Sequence, residues 1–134
     1  MNYKLTHVRL LVNNFKECFY FYRDVMGFEY RAGEETGPYV EFFAGENVML
    51  GLFERGYMAN VVRTTDKPAE TAAQDTMTLC FEVTNVDETA AKIKQAGIAL
   101  INEPMDIEQW VLRVAHFRDS AGNLIEINHN LPNP

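Results

Sequence analysis

Glu126 lies in the run Leu124-Ile125-Glu126-Ile127-Asn128, where a single carboxylate is set among apolar neighbours. Lost hydration disfavours the charge of such a group and a nearby cation restores it. It can therefore act as a general base, or form half of an ion pair with Arg9 or Arg113. His7 and Arg9 belong to a second run, residues 5–12, in which Val8, Leu10 and Val12 are uniformly apolar. Strand alternation then puts His7, Arg9 and Leu11 together on the other face. In residues 77–83 the same rule separates Leu79, Phe81 and Val83 from Thr78, Cys80 and Glu82. His7 is either a proton-transfer group or ligand, or a cleft-lining histidine hydrogen-bonded to a neighbour. Arg9 and Arg113 can orient a carboxylate or polarise a carbonyl, or pair with acidic neighbours. Arg9 and Glu82 occupy nearly equivalent places and could pair with each other. Cys80 reads first as a small lining group, and Trp110 as a core or interface residue or a stacking platform for a flat ligand. The parity of His116 is ambiguous, and His129 falls on the face opposite Glu126, at an exposed end.

These residues belong to a chain of 134 residues, 47% hydrophobic and 23% charged, with a formal charge of −7. That length and balance suit one ordinary domain or two tightly joined small ones, with a core that needs no disulfides. The two cysteines, Cys18 and Cys80, form neither a disulfide framework nor a CxxC metal pair. No basic run suggests nucleic acid, and no apolar run is long enough for a membrane span. The opening residues lack an apolar signal-peptide core, so a cytoplasmic location is expected. No phosphate loop or serine elbow is visible.

Strands are predicted at residues 5–12, 28–32, 39–44 and 48–54, with a helix after Asn14 carrying Phe15, Cys18, Phe19, Tyr22 and Met26 at helical spacing. Gly27 closes that helix. Residues 55–75 read as a linker with one or two helical turns over 57–63. The order then repeats: a strand at 77–83, a helix capped by Asn85 or Asp87 and ended by Gly97, and strands at 99–102, 111–118 and 124–128. Val12 overlays Val83, Asn14 overlays Asn85 and Gly27 overlays Gly97. Gly45–Leu50 pairs with Gly122–Glu126 once one residue is dropped. The expected fold is α+β: two βαβββ modules, 1–54 and 76–134, forming a curved mixed sheet around a cleft. His7, Arg9, Cys80, Glu82 and Glu126 should line it, with Trp110 and Arg113 near the rim.

Three segments carry a resemblance to a known family: His7-Val-Arg-Leu-Leu-Val12, Phe19-Tyr-Phe-Tyr-Arg-Asp-Val-Met-Gly-Phe28, and Phe117-Arg-Asp-Ser-Ala-Gly-Asn-Leu-Ile-Glu-Ile127. They resemble the glyoxalase/bleomycin-resistance/extradiol-dioxygenase (vicinal oxygen chelate) superfamily over almost the whole chain. Ser120 replaces the proline usual in the closing motif. The resemblance implies metal ligands at His7, Leu50, Thr78 and Glu126. Leu50 cannot ligate and a neutral Thr78 hydroxyl is weak, so the expectation is no metal, or a weakly bound divalent cation. Glu54, on the face of Leu50 four residues further on, is the alternative donor.

The superfamily hosts several chemistries, so fold does not fix activity. One reading is a lyase- or isomerase-type enzyme transferring a proton next to a carbonyl, with Glu126 and His7 catalytic and Arg9, Cys80, Glu82, Trp110 and Arg113 binding substrate. Ordinary glyoxalase I activity is not expected. The other is a non-catalytic small-molecule or antibiotic-binding protein, towards which the acidity and Trp110 point. Either would be a homodimer without nucleic-acid or membrane partners.

Overall fold

The computed structural model describes Asn2, residues 4–70 and residues 72–132. The outermost predicted positions Met1, Tyr3, Asn133 and Pro134, and Thr71 of the linker, lie outside the described residues. The chain forms two compact units, Met1–Ala73 and Gln74–Pro134.

In the first unit β1 (His7–Val12) leads to α1 (Phe15–Tyr20), then β2 (Tyr30–Gly33), β3 (Tyr39–Phe43), β4 (Met49–Glu54) and α2 (Arg55–Val62). Its sheet runs β1-β4-β3-β2, with β1 parallel to β4. In the second unit β5 (Thr78–Glu82) leads to α3 (Val86–Gln95), β6 (Leu100–Ile107), β7 (Leu112–Arg118) and β8 (Leu124–Asn130). Its sheet runs β5-β8-β7-β6, with β5 parallel to β8. Both units are thus βαβββ modules, as the repeat predicts.

Each module buries one face of its sheet under its long helix. Leu10, Val12, Leu50, Leu52, Val40 and Phe42 are buried with Phe15, Cys18, Phe19 and Tyr22 of the first helix. Phe21 is buried as well, although it lies off the predicted stripe. Phe21 begins a π-helical turn, Phe21–Val25, that follows α1, and it packs beside Tyr22, the two ring centroids 5.1 Å apart. In the second module Ile125, Ile127, Ala115 and Phe117 pack with Val86, Ala90 and Ile93. Leu79 and Phe81 of β5 are only half-buried.

Three local features differ from expectation. β6 runs on to Ile107 rather than stopping near residue 102, passing through Pro104. It is an edge strand whose register breaks between Asn102 and Met105, which accommodates a proline that cannot donate. α2 starts at Arg55, and its guanidinium donates to the Leu11 carbonyl at 3.0 and 2.8 Å and to the Ala69 carbonyl. Asn85 caps α3 by accepting from the Glu88 amide at 3.0 Å, whereas Asn14 stands at the α1 cap position without a side-chain cap bond.

The missing proline at Ser120 is explained by Asp119. Its Oδ1 accepts from the amides of Ala121 (2.9 Å) and Asn123 (2.8 Å), and its Oδ2 accepts from the Asn123 side chain (2.8 Å). A buried carboxylate, not a rigid ring, holds the turn before β8. Asp119→Ala is expected to cost about 2 kcal/mol, because it leaves three half-buried donors unpaired, and Asn85→Ala only about 1 kcal/mol. Urea denaturation of the two variants checks the order; equal losses would contradict it.

Candidate active site on the open sheet faces

The face of each sheet turned away from its helix carries the polar residues, and strand pairing fixes how they align. In the second module Cys80 pairs with Glu126, Glu126 with His116, and His116 with Asn102. Four side chains therefore stand in one row across the four strands. His116 Nε2 lies 2.9 Å from Glu126 Oε1, and His116 Nδ1 lies 2.8 Å from Asn102 Oδ1. Asn128 donates to the other carboxylate oxygen, Glu126 Oε2, at 2.9 Å. Glu126 is 8% exposed. A carboxylate this buried is held by its partners rather than by water. With Asn102 Oδ1 as the acceptor, His116 Nδ1 is the donor and Nε2 faces Glu126 Oε1. Burial pushes the Cys80 thiol up, and the adjacent Glu126 carboxylate raises it further. Although exposed, Cys80 is thus kept as a thiol and is a poor nucleophile.

The equivalent row of the first module is built from different residues. Arg9 pairs with Gly51, and Gly51 with Glu41. Glu41 is 6% exposed and gathers three donors. Tyr39 Oη donates to its Oε1 at 2.7 Å, His7 Nε2 lies 3.2 Å from the same oxygen, and Arg31 Nε donates to Oε2 at 2.5 Å. Burial works against ionised Glu41, but the Tyr39 and Arg31 hydrogen bonds outweigh it and hold the group below the usual carboxylate range. Burial and the Glu41 carboxylate in turn raise the Tyr39 phenol. Arg9 lies over the Tyr39 ring, 5.2 Å from its centroid.

His7 and Arg9 in the first module, and Thr78, Cys80, Glu82 and Glu126 in the second, all stand on the faces that strand parity assigns them. Several other expectations are corrected. His7 pairs with Met49 and Thr78 with Leu124, so Glu126 corresponds to Gly51, not Leu50. Two residues, not one, must be dropped from the overlay. Leu50 is buried under α1, and Glu54, of the same parity, cannot reach the face of His7. Arg9 corresponds to Cys80, and Glu82 to Leu11. Arg113 is on the helix side, where it donates to Asp87 at 2.7 and 2.9 Å and to Asp106 at 2.8 Å. It is neither a partner of Glu126 nor near it on the open face. His129 shares that side and is half-buried, accepting from the Val86 amide at 2.9 Å. Trp110 ends a 3₁₀ turn and is 54% exposed. His116, Asn102, Asn128, Tyr39 and Glu41 were missed; alternation counted back from Glu126 through the tight turn would have found His116.

Chain relatives agree with this architecture. A Glyoxalase-like domain model matches residues 5–132. The chain is 40% identical over 124 residues to the uncharacterized protein YraH of Bacillus subtilis (strain 168), covering 92% of this chain and 96% of the relative. The chain belongs to the glyoxalase-like family of the glyoxalase/bleomycin-resistance/dioxygenase superfamily. Among solved structures, a glyoxalase/bleomycin resistance protein/dioxygenase from Nocardioides matches with a TM-score of 0.83 at 18% identity, covering 100% of this chain and 87% of the other. A lactoylglutathione lyase from Agrobacterium tumefaciens matches with a TM-score of 0.72 at 23% identity, covering 95% and 93%. At these identities the likeness shows the fold alone. The family usually binds a metal, but the donor set here does not fit one: among the described residues no three His, Cys, Asp or Glu side chains converge. No helix among them is long and apolar enough to cross a membrane.

Because folded Glu41 lies below its ordinary pKa, its pairing contributes stability above the unfolded value, about 4.3, and loses it as pH falls through the folded value. Glu41→Gln should melt well below the parent at about pH 7, with the gap narrowing as the pH falls below the unfolded value. Melting curves across that range check this; a constant gap would contradict it.

Proposed function

We propose that this chain is a small-molecule enzyme of the glyoxalase family that moves a proton next to a carbonyl. The observation that carries the reading is the Cys80–Glu126–His116–Asn102 row, with a buried carboxylate on an open sheet face. Glu126 takes the proton from the carbon beside the carbonyl, and the electron pair moves to the carbonyl oxygen. Glu126 then gives the proton back to that carbon as the electron pair returns from oxygen, which exchanges the proton, while His116 Nε2 holds the Glu126 carboxyl group. Asn102 and Asn128 are positioning residues: each fixes one member of the pair by a hydrogen bond. Cys80 and Glu82 border the place where substrate would lie. His7, bound to Glu41, supports the first module rather than the proton transfer.

Incubating the protein in D2O with a panel of 2-oxo and 3-oxo acids and their thioesters should show exchange of the proton next to the carbonyl. Glu126→Gln should slow that exchange at least ~100-fold while barely changing the melting temperature. A variant that melts lower and exchanges as fast would make Glu126 structural. Turnover of the methylglyoxal–glutathione adduct, lost on chelation and restored by zinc or nickel, would contradict the donor-set argument.

The second reading is a non-catalytic binding protein of the bleomycin-resistance type. Trp110 supports it, since an indole 54% exposed offers a stacking surface. Ligand binding without exchange, weakened by Trp110→Ala and not by Glu126→Gln, would favour it.

We also propose a homodimer. β1 and β5 are each paired on one side only within their own sheets, and Leu5 and Met77, which precede them, are 66% and 52% exposed. Strand edges with apolar neighbours favour assembly. Light scattering at micromolar concentration should give twice the chain mass; a monomer alone would contradict this.

A further inference from the structure

We infer that the open face of the first module binds a small molecule combining an anionic group with a flat apolar body, held by Arg9 and the aromatic side chains Tyr39, Phe53 and Tyr57. The inference uses the geometry of this module alone and does not depend on the proton-transfer reading.

The charge comes from Arg9. Among the described residues it enters no ion pair, whereas Arg31 on the same face is committed to Glu41 at 2.5 Å. Arg9 is exposed on β1, and Tyr39 fixes its guanidinium from below. Tyr39 cannot swing away readily, because its hydroxyl is tied to buried Glu41 at 2.7 Å. The cation is therefore positioned before any ligand arrives, which lowers the ordering cost of binding.

Gly51 makes this arrangement possible. It occupies the place that Glu126 holds in the second module. A Cβ there would come within 3.0 Å of Arg9 Cγ and of Tyr39 Oη. A carboxylate at that place would crowd the stack and neutralise Arg9. Its absence leaves a guanidinium that reaches only the Tyr39 hydroxyl, so donors remain for a carboxylate or phosphate oxygen pair.

The apolar half is an aromatic ladder. Tyr39 and Phe53 lie 5.7 Å apart, and Phe53 and Tyr57 lie 6.1 Å apart. Leu11 pairs with Phe53 on the same face and is 37% exposed, while Tyr57 is 54% exposed. A flat ring laid along this ladder would place its acidic group at Arg9. Charge complementarity excludes a cationic occupant here, even though the chain as a whole is acidic.

The test uses 2-naphthylacetate, its neutral amide, and acetate, which lacks the ring. Titration calorimetry should show the naphthyl acid binding at least ~10-fold more tightly than either control. Arg9→Gln should abolish the preference for acid over amide, and Arg9→Lys should keep part of it. Gly51→Ala should weaken the acid while leaving far-UV circular dichroism unchanged. Amide shift changes on binding should centre on Arg9, Tyr39 and Phe53. Equal affinity for acid and amide, no binding of the acid at millimolar concentration, a preference surviving Arg9→Gln, or shifts confined to the second module would each overturn the inference.

Discussion

Parallel pairing of the first and last strands of each module is the constraint on which the rest depends. It sets β1 beside β4 and β5 beside β8, and so decides which residue of the last strand stands next to Arg9 or Cys80. Because side chains alternate, a slip of one residue would bury Glu126 under α3 and expose Ile125. The buried apolar set on the helix side forbids that slip. Ile125, Ile127, Ala115 and Phe117 are almost wholly excluded from water, so the polar row opposite is held in place by the core behind it.

The two modules use one register for different chemistry. In the second, a carboxylate fills the central place and a histidine from the neighbouring strand bonds to it. In the first, glycine fills that place, the carboxylate has moved one strand over to Glu41, and an arginine lies across the gap. Glu41 and Glu126 are both largely buried, and each carboxylate oxygen has at least one hydrogen-bond partner. They differ in what they leave over. The first row leaves a cation on the open face, and the second leaves a carboxylate hydrogen-bonded to a histidine.

Much of the fold was legible because its signals are local and repeated. The helix stripe from Phe15 to Tyr22, Gly27 at the end of the first helix and the Asn85 cap all report on residues near them in sequence. Strand parity likewise placed His7, Arg9, Cys80 and Glu126 on the correct faces. The errors came where pairing between distant segments decides. Leu50 was matched to Glu126 because the loop lengths before the last strands differ, and only hydrogen-bonded register shows that Gly51 is its counterpart. Arg113 read either as an anchor for an anion or as half of an ion pair; the pair is what forms, but its partners Asp87 and Asp106 are far from it in sequence or on another strand, so they could not be named. His116 went unassigned because β7 carries Ala115 and Val114 side by side in the core, which hides its alternation.

Nitrogen-15 labelling of the histidine side chains tests the proton-transfer row most directly. With Asn102 Oδ1 accepting from His116, Nδ1 must carry a proton, and the Nε2 signal must respond when Glu126 is replaced by glutamine. Long-range proton–nitrogen correlation spectra resolve the two ring nitrogens. A protonated His116 Nδ1 together with an Nε2 shift sensitive to Glu126→Gln is the predicted result. A bare Nδ1, or an Nε2 signal unchanged by that substitution, would contradict it.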